Sequence, residues 1–454
     1  MTFDRRSLLG TAALAGAAGI AATAGPRPAA AKSPSGLGVS ATDLGVESGG
    51  GDQAAALQAA IDRLAPTGTP LLLPPGHYAV SSLELKPGTQ LLGVPGATIL
   101  AFAGGDRFLW GNGAAQVRLQ GLVIDGQARP LDPFHADGLV TLTACEGVSL
   151  RDVIIRGGLL NGVSLRQCSG RIGDSLIEDC GAGALFSLDA RGLEIAHNEI
   201  RRIGNNGIQI WTGKPGEDGT LVLSNRISAI EARAGGTGEN GNGISIFRAG
   251  SVLVSSNRIT DCAFSAVRNN AGSNCQMLGN SCERLGEVAL YAEFGFEGVI
   301  IANNLVDRAA QGISVTNFNE GGRLAVVQGN LIRNMVRREQ SEDKRGYGIA
   351  VEADAVVTGN IVESAAAAGI LIGWGRHKRD VAVTGNVVRA SPIGIGISSE
   401  FEGGIVFAAH NFIAGASEGG IRAMDHETPI GPDLAQASAE AYPNIAVQAN
   451  ISVP

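Results

Sequence analysis

The sequence predicts an all-β, single-stranded right-handed parallel β-helix with a capping helix at its N-terminal end. Three observations lead there. An Asn-x-apolar block trailing a short apolar strand recurs at Asn198, Asn225, Asn257, Asn280, Asn304, Asn330, Asn360, Asn386, Asn411 and Asn450. The intervals of 23 to 39 residues lie in the range of stacked repeats. Between these blocks sits a Gly-apolar-x-apolar element, as in Gly207–Ile210, Gly243–Ile246, Gly312–Val315, Gly348–Val351 and Gly369–Ile372. Each repeat therefore holds two or three period-2 strands, punctuated by Gly and Asn, with no room for a helix. Such strands bury their apolar faces only by coiling and stacking on the next repeat. Composition agrees: Gly is 66 of 454 residues and aromatics are 4%, which suits narrow coils with many tight turns.

Residues 1–31 read as an export signal. Arg5-Arg6 precedes a weakly apolar run from Leu8 to Ala24, and Ala29-Ala30-Ala31 offers a cleavage site before Lys32. Paired arginines with a Gly/Ala-rich core fit a twin-arginine signal, so the expected location is the periplasm or the secreted fraction. No later segment is apolar enough to span a membrane. The formal charge is −8; removing residues 1–31, where Arg5, Arg6 and Arg27 outnumber Asp4 by two, leaves −10. An acidic surface argues against a nucleic-acid partner. Oligomeric state is not legible.

Residues 32–116 hold a Ser/Gly-rich leader, the cap and the first coils. Leu57, Ile61 and Leu64 mark an amphipathic helix that plugs the first coil, with Asp52 as its N-cap. Regular rungs occupy residues 117–424, interrupted by insertions at Thr212–Thr220, Glu231–Asn242 and Arg337–Gly346. These insertions border the Gly-apolar-x-apolar strand, and loops of variable length on a regular scaffold are where sites are built. Residues 425–454 form a C-terminal cap, with a short helix expected over Asp433–Ala441 and a last strand. The Asn repeats read as structural, stacked along one turn. Cys145, Cys168, Cys180, Cys262, Cys275 and Cys282 lack metal-ligand spacing; each reads as a small buried hydrophobe, with Cys168–Cys180 or Cys262–Cys282 bridges as the alternative.

Strand alternation locates the chemistry. In Gly-Ile-x-Ile the apolar pair points inward, so the intervening and following residues point outward. That places Gln209 and Trp211, Ser245 and Phe247, Arg268 and Asn270, Leu290 and Ala292, Ser314 and Thr316, and Ala350 and Glu352 on one outer face. Arg248, Glu293, Asn317 and Trp374 fall one place further, and Tyr291 falls at a nominally inward position. With neighbouring rungs about 4.8 Å apart, Arg248, Arg268, Tyr291, Glu293, Asn317 and Glu352 share one patch. Glu293 is the expected acid/base, with Arg268 and Tyr291 as catalytic partners and Glu352 as the second carboxylate, roughly 10 Å away by rung count. Trp211 and Trp374 are expected sugar platforms, and Arg248, Asn270 and Asn317 further substrate contacts. The bland alternative is a set of solvated cross-strand pairs. Asp125, Asp132, His135 and Asp137 form a second polar cluster, either a site or a turn between early rungs. Arg376-His377-Lys378-Arg379 reads as a solvated basic turn. No residue pattern names a cofactor or a metal.

The stretches Cys262–Asn270 (CAFSAVRNN), Gly286–Asn304 (GEVALYAEFGFEGVIIANN), Gly312–Asn330 (GISVTNFNEGGRLAVVQGN) and Val351–Asn360 (VEADAVVTGN), with the signal, resemble the twin-arginine-translocated repeat proteins that carry pectin-lyase-like β-helix repeats. Leu71–Tyr78 (LLLPPGHY) similarly resembles the N-terminal cap of pectin-lyase-like enzymes. The resemblance implies that fold and twin-arginine export, and no reaction. Asp132-Pro133-x-His135-x-Asp137 is similar to the Asp-Pro-His-Asp element of alginate epimerases, broken by Phe134 and Ala136. The Asn-Thr-Asp and Gly-His-Gly signatures of polygalacturonases are missing, as is a clear Asp set for a pectate-lyase calcium site. The expected function is an exported carbohydrate-active protein, a polysaccharide lyase or glycoside hydrolase taking a poly- or oligosaccharide on one sheet. The alternative is a non-catalytic glycan-binding or envelope structural protein.

Overall fold

The computed structural model describes residues 38–339 and 341–454; the signal expected over residues 1–31 lies outside them. Each coil gives one strand to each of three sheets of sixteen, fifteen and fifteen strands, and the chain is a right-handed parallel solenoid of about 14 turns. One coil consists of Leu221–Leu223, Arg226–Ile230 and Ile244–Gly250; the next repeats it with Leu253–Ser255, Arg258–Cys262 and Val267–Asn270, paired in parallel at every strand. Inward residues fill the bore: Val222, Ile227, Ile244, Ile246, Val254 and Ile259 are all buried. The six cysteines are free and buried with them, so the buried-hydrophobe reading describes them.

The corner between the first and second strands of a coil is built on the Asn residues. Asn198 donates its backbone N–H and its Nδ2 to Oδ1 of Asn225, at 3.0 Å each, and its Nδ2 also to the carbonyl of Ile172 in the coil before. The pattern repeats without a break through Asn257, Asn280, Asn304, Asn330, Asn360, Asn386 and Asn411 to Asn450. Every amide thereby satisfies buried backbone groups that a tight corner would otherwise orphan. The residue before each Asn takes a positive φ, as at Ser224 (55°), Asn303 (58°) and Gly329 (65°), which turns the chain through the corner.

The helix Ala54–Leu64 closes the first coil with Leu57, Ala60, Ile61 and Leu64 buried against it. Gln53, rather than Asp52, occupies its N-cap position. Asp52 still serves the helix end: its Oδ1 accepts the N–H groups of Ala54 (2.9 Å) and Ser81 (3.0 Å), tying the helix start to the first coils. At the other end the expected helix over Asp433–Ala441 does not form. Thr428–Asp433 is instead an antiparallel strand on Gly419–Asp425. The Asp433 carboxylate accepts the N–H groups of Gly420, Ile421 and Ala435, so it finishes a strand edge where it would have begun a helix. Ile445–Gln448 and Ile451–Val453 then add the last parallel strands.

Asn304→Ala removes the acceptor of two buried Asn280 donors and is expected to cost about 3 kcal/mol. Asn450→Ala, at the half-exposed end of the ladder, is expected to cost about 1 kcal/mol or less. Urea denaturation followed by circular dichroism compares the two; equal costs would remove the ladder from its proposed role.

Candidate functional site

The Gly-apolar-x-apolar strands form one wall, and their register aligns its outward residues in two rows. Gln209, Ser245, Arg268, Tyr291, Ser314, Ala350 and Leu371 lie directly over one another. Trp211, Phe247, Asn270 and Glu293 form the second row. Glu352, one place past the Val315–Val351 pair, extends it two coils on. Arg268, Glu293, Asn317 and Glu352 are thus gathered on one side of the solenoid.

One strand departs from the expected register. In Val288–Glu293 it is Leu290, paired with Val267 and Ile313, that points inward with Ala292, and Tyr291 faces out. Ala289 and Tyr291 make this strand apolar on both faces, so period 2 alone allows two registers. Pairing decides between them and moves Tyr291 from the weakest position of the patch to its centre. Glu293 consequently shares a row with Asn270, not with Arg248 and Asn317.

Ion pairs hold the middle of the wall. Arg268 grips Glu293 with two parallel bonds, Nε–Oε1 at 2.6 Å and Nη2–Oε2 at 3.0 Å, and Asn270 Nδ2 adds a third at 3.2 Å. The Glu293 side chain is only 3% exposed, so both its oxygens are engaged away from solvent. Beside it, Glu287 faces Arg345 (3.3 Å), Arg338 (3.5 Å) and Arg268 (3.6 Å). Arg345 also pairs with Asp343 (2.8 Å) and donates to Gln311 Oε1 (3.2 Å). The Tyr291 ring lies 5.3 Å from the Arg268 guanidinium and 5.4 Å from that of Arg345, which fixes its plane by two cation–π contacts. Burial raises the Tyr291 phenol above its ordinary range, so it stays a hydroxyl donor at neutral pH.

Glu352 is a different kind of carboxylate. Burial pushes it up to about 7, against the opposing pull of the Phe318 and Asn317 backbone N–H groups. Its Oε2 accepts the Phe318 N–H at 2.7 Å, and among the described residues no cation stands within ion-pair distance. The turn that supplies this bond begins at Asn317, held at φ 69°, whose Oδ1 accepts the Phe294 N–H at 3.3 Å. Glu352, Tyr291, Asn317, Arg345, Tyr347 and Trp374 line one cavity of about 250 Å³. Trp374, 38% exposed, stands edge-on to His426 at 5.1 Å.

A second recess of about 370 Å³ adjoins it on the N-terminal side, bounded by Trp211, Phe247, Arg268, Asn270 and Phe294 under the Thr237–Glu239 loop. Trp211 stacks edge-on between Phe186 (5.5 Å) and Phe247 (5.6 Å), making an aromatic ladder across three coils. Arg248 is exposed and lies over the Phe247 ring at 4.6 Å. The expected single patch is therefore two adjoining recesses. Tyr291, Asn317, Glu352 and Trp374 meet in one, Trp211, Arg268 and Asn270 in the other, with Arg248 at the rim and Glu293 anchoring Arg268.

Tyr347 opens the wall strand Tyr347–Val351 ahead of its glycine, whereas Arg345 and Asp343 were invisible as site residues by strand pattern, since they enter from the Arg337–Gly346 insertion. The insertion itself, placed just before a wall strand, was their only signal. Lys378 is not part of a solvated turn: it is 1% exposed, its Nζ donates to the carbonyls of Ser398 (2.5 Å) and Glu400 (2.8 Å), and burial lowers it to about 8. The Asp125 cluster is dispersed into local pairs, Asp125–Arg156 (2.8 Å), Asp132–His135 (2.9 Å) and Asp137–Arg166 (2.5 Å).

Two family profiles match parts of the chain: "Right handed beta helix region" over residues 216–388, and "Periplasmic copper-binding protein (NosD)" over residues 134–283. No curated protein sequence matches significantly. Among solved structures, the DFA-IIIase from Arthrobacter chlorophenolicus A6 in complex with GF2 is 13% identical, with a TM-score of 0.51 over 77% of this chain and 94% of that one. The catalytic unit of a GH87 α-1,3-glucanase from Streptomyces thermodiastaticus is 18% identical (TM-score 0.49; 93% and 70% covered). The mannuronan C-5 epimerase AlgE6 A-module from Azotobacter vinelandii is 16% identical (TM-score 0.46; 91% and 99% covered). At these identities the likeness is one of fold alone, a right-handed parallel β-helix. The copper named by the second profile does not fit the residues present. Copper favours converging Cys, Met or His donors, whereas the cysteines are buried among the aliphatic side chains of the bore, with no more than two side by side, as at Cys145 and Cys168. Among the described residues no three His, Cys, Asp or Glu groups converge to hold a metal ion.

The Glu352 carboxyl predicts a stability profile. Its folded pKa (about 7) lies above its unfolded one (4.5), so the stability it confers is complete below pH 4.5 and lost as pH rises through 7. Melting temperature measured from pH 4 to 8 is expected to fall across that window in the unmutated protein, and to fall less in Glu352→Gln. Parallel curves would remove the shift.

Proposed function

We propose that this is an exported carbohydrate-active enzyme, a glycoside hydrolase or polysaccharide lyase, that binds a sugar chain along the outer wall and cleaves it at the Glu352 cavity. Glu352 carries the reading: a half-buried carboxyl lining a cavity, pushed up to about 7 by burial, with no cation within ion-pair distance among the described residues. A group so poised is protonated often enough to donate and ionised often enough to be reloaded. In hydrolysis Glu352 gives its proton to the departing oxygen as the glycosidic bond breaks, water bonds to the anomeric carbon in its place, and the proton that this water gives up restores the carboxyl through solvent. The Tyr291 hydroxyl, held by Arg268 and Arg345, donates a second hydrogen bond to the sugar or the departing oxygen. Asn317 orients the chain, and Trp374 offers a face at the far rim.

The acid role first expected of Glu293 passes to Glu352 in this reading, because Glu293 is committed to Arg268 and Asn270. Arg268 and Glu293 act as positioning residues, through Tyr291. The DFA-IIIase among the structural neighbours, solved in complex with GF2, favours a sugar as ligand without naming one. Export to the periplasm by the twin-arginine route rests on Arg5-Arg6 and on the periplasmic description of the profile over residues 134–283. Among the described residues no helix is long and apolar enough to cross a membrane.

A second reading, glycan binding without cleavage, is favoured by the aromatic ladder, which needs no acid to work. One comparison separates them. Glu352→Gln is expected to lower turnover by about 10²- to 10⁴-fold while glycan affinity changes little. In the unmutated enzyme the rate should decline as pH rises through about 7, where Glu352 loses its proton. Undiminished turnover in Glu352→Gln would sink the assignment, and binding without turnover in the unmutated protein would leave the second reading.

A further inference from the structure

We infer that the sugar chain held on this wall is uncharged, made of neutral sugars and not of uronic acids. The inference rests on the carbohydrate reading above and narrows it to a substrate class. A uronate entering a half-buried groove must exchange its hydration for a cation or a cluster of donors, since a buried carboxylate without a partner is costly. Among the described residues between Phe247 and Trp374, the one guanidinium on the wall without a carboxylate partner is Arg248, which lies exposed at the rim over the Phe247 ring, in solvent and outside the half-buried groove. Arg268 is taken up by Glu293, with Glu287 behind it. Arg345 is divided between Glu287 and Asp343, and Arg338 faces Glu287. Lys378, just past Trp374, is buried on two carbonyls, and Arg379 is bound to Asp354.

The charge balance points the same way. The Glu352 cavity contains one guanidinium, Arg345, against two carboxyls, Asp343 and Glu352. Its field is therefore neutral with Glu352 protonated and negative once it ionises, so an acidic sugar is repelled in the state that follows proton transfer. An acidic chain would also raise the Glu352 pKa further and slow its release of the proton. Nor, among the described residues, does a carboxylate cluster gather to hold a bridging cation instead.

What the wall does offer suits neutral rings. The Phe186, Trp211 and Phe247 ladder presents aromatic edges and faces to the C–H surfaces of a sugar, with Ser245 and Asn270 beside it for hydroxyls. Trp211 stands five strand spacings before Glu352, about 24 Å along the axis. A ligand that touches both is an extended chain, not a mono- or disaccharide.

The test offers the mature protein two sets of polysaccharides matched for length. The neutral set contains α- and β-glucans, fructan, xylan and mannan; the acidic set contains polygalacturonate, alginate and glucuronan. Affinity electrophoresis reads binding, and reducing ends with unsaturated-product absorbance read cleavage. The expected result is binding or cleavage of at least one neutral glycan, at least tenfold above every acidic one, with no unsaturated product. Preference for an acidic chain would overturn the inference and leave the carbohydrate reading standing. Failure to bind or cleave either set would overturn both.

Discussion

Registration of one coil over the next is the constraint on which the rest depends. Parallel pairing sets the spacing, but by itself it would let a coil slip by two residues without exposing its apolar face. The Asn ladder removes that freedom. Each side chain accepts from the coil before and donates to the coil after, so a slip at one corner would orphan several buried amide groups at once. Residues separated by a coil or more in sequence, such as Arg268, Tyr291 and Glu352, are neighbours only because this registration holds along the stack. The site is therefore a property of the pile and of no single repeat.

On that wall, two carboxylates of the same type have been given opposite characters. Glu293 is matched by a two-pronged guanidinium and an amide, and serves as an anchor. Glu352 is matched only by the backbone of a turn, and its affinity for a proton rises accordingly. Environment alone makes the difference, since both lie on outward rows of the same sheet two coils apart. The arginines pinned by Glu287 and Glu293 have a mechanical use as well: with Arg268 on one side and Arg345 on the other, the Tyr291 ring has few alternatives to its observed pose.

The architecture was legible because its signals are local and repeated. Asn spacing, Gly-apolar-x-apolar strands and the Leu57, Ile61 and Leu64 stripe each reappear in the structure at the expected elements. Which residues share the outer wall was legible for the same reason, wherever a strand is apolar on one face only. Tyr291 escaped because its strand is apolar on both, and a two-faced strand takes its register from its neighbours. Asp433 escaped because an aspartate before a short apolar run suits a helix start and a strand end equally. Arg345 and Asp343 arrive from an insertion, whose path no periodicity describes. Lys378 sits in a run of basic residues that looks solvated, yet the narrow turn folds its amine back onto carbonyls. The commitment of Glu293 to Arg268 is a matter of side-chain geometry between coils, which strand pattern leaves open.

The aromatic ladder and the cavity of Glu352 are separated by a whole number of coils, and that has a consequence for how such a protein changes over time. Duplication of one complete repeat between them would leave the aromatic ladder and the Glu352 turn in place and alter their separation by a single step of about 4.8 Å. Insertions within a turn would reshape one recess and leave the step unchanged. The solenoid thus acts as a graduated ruler, able to retune the length of polymer it measures without redesigning either end.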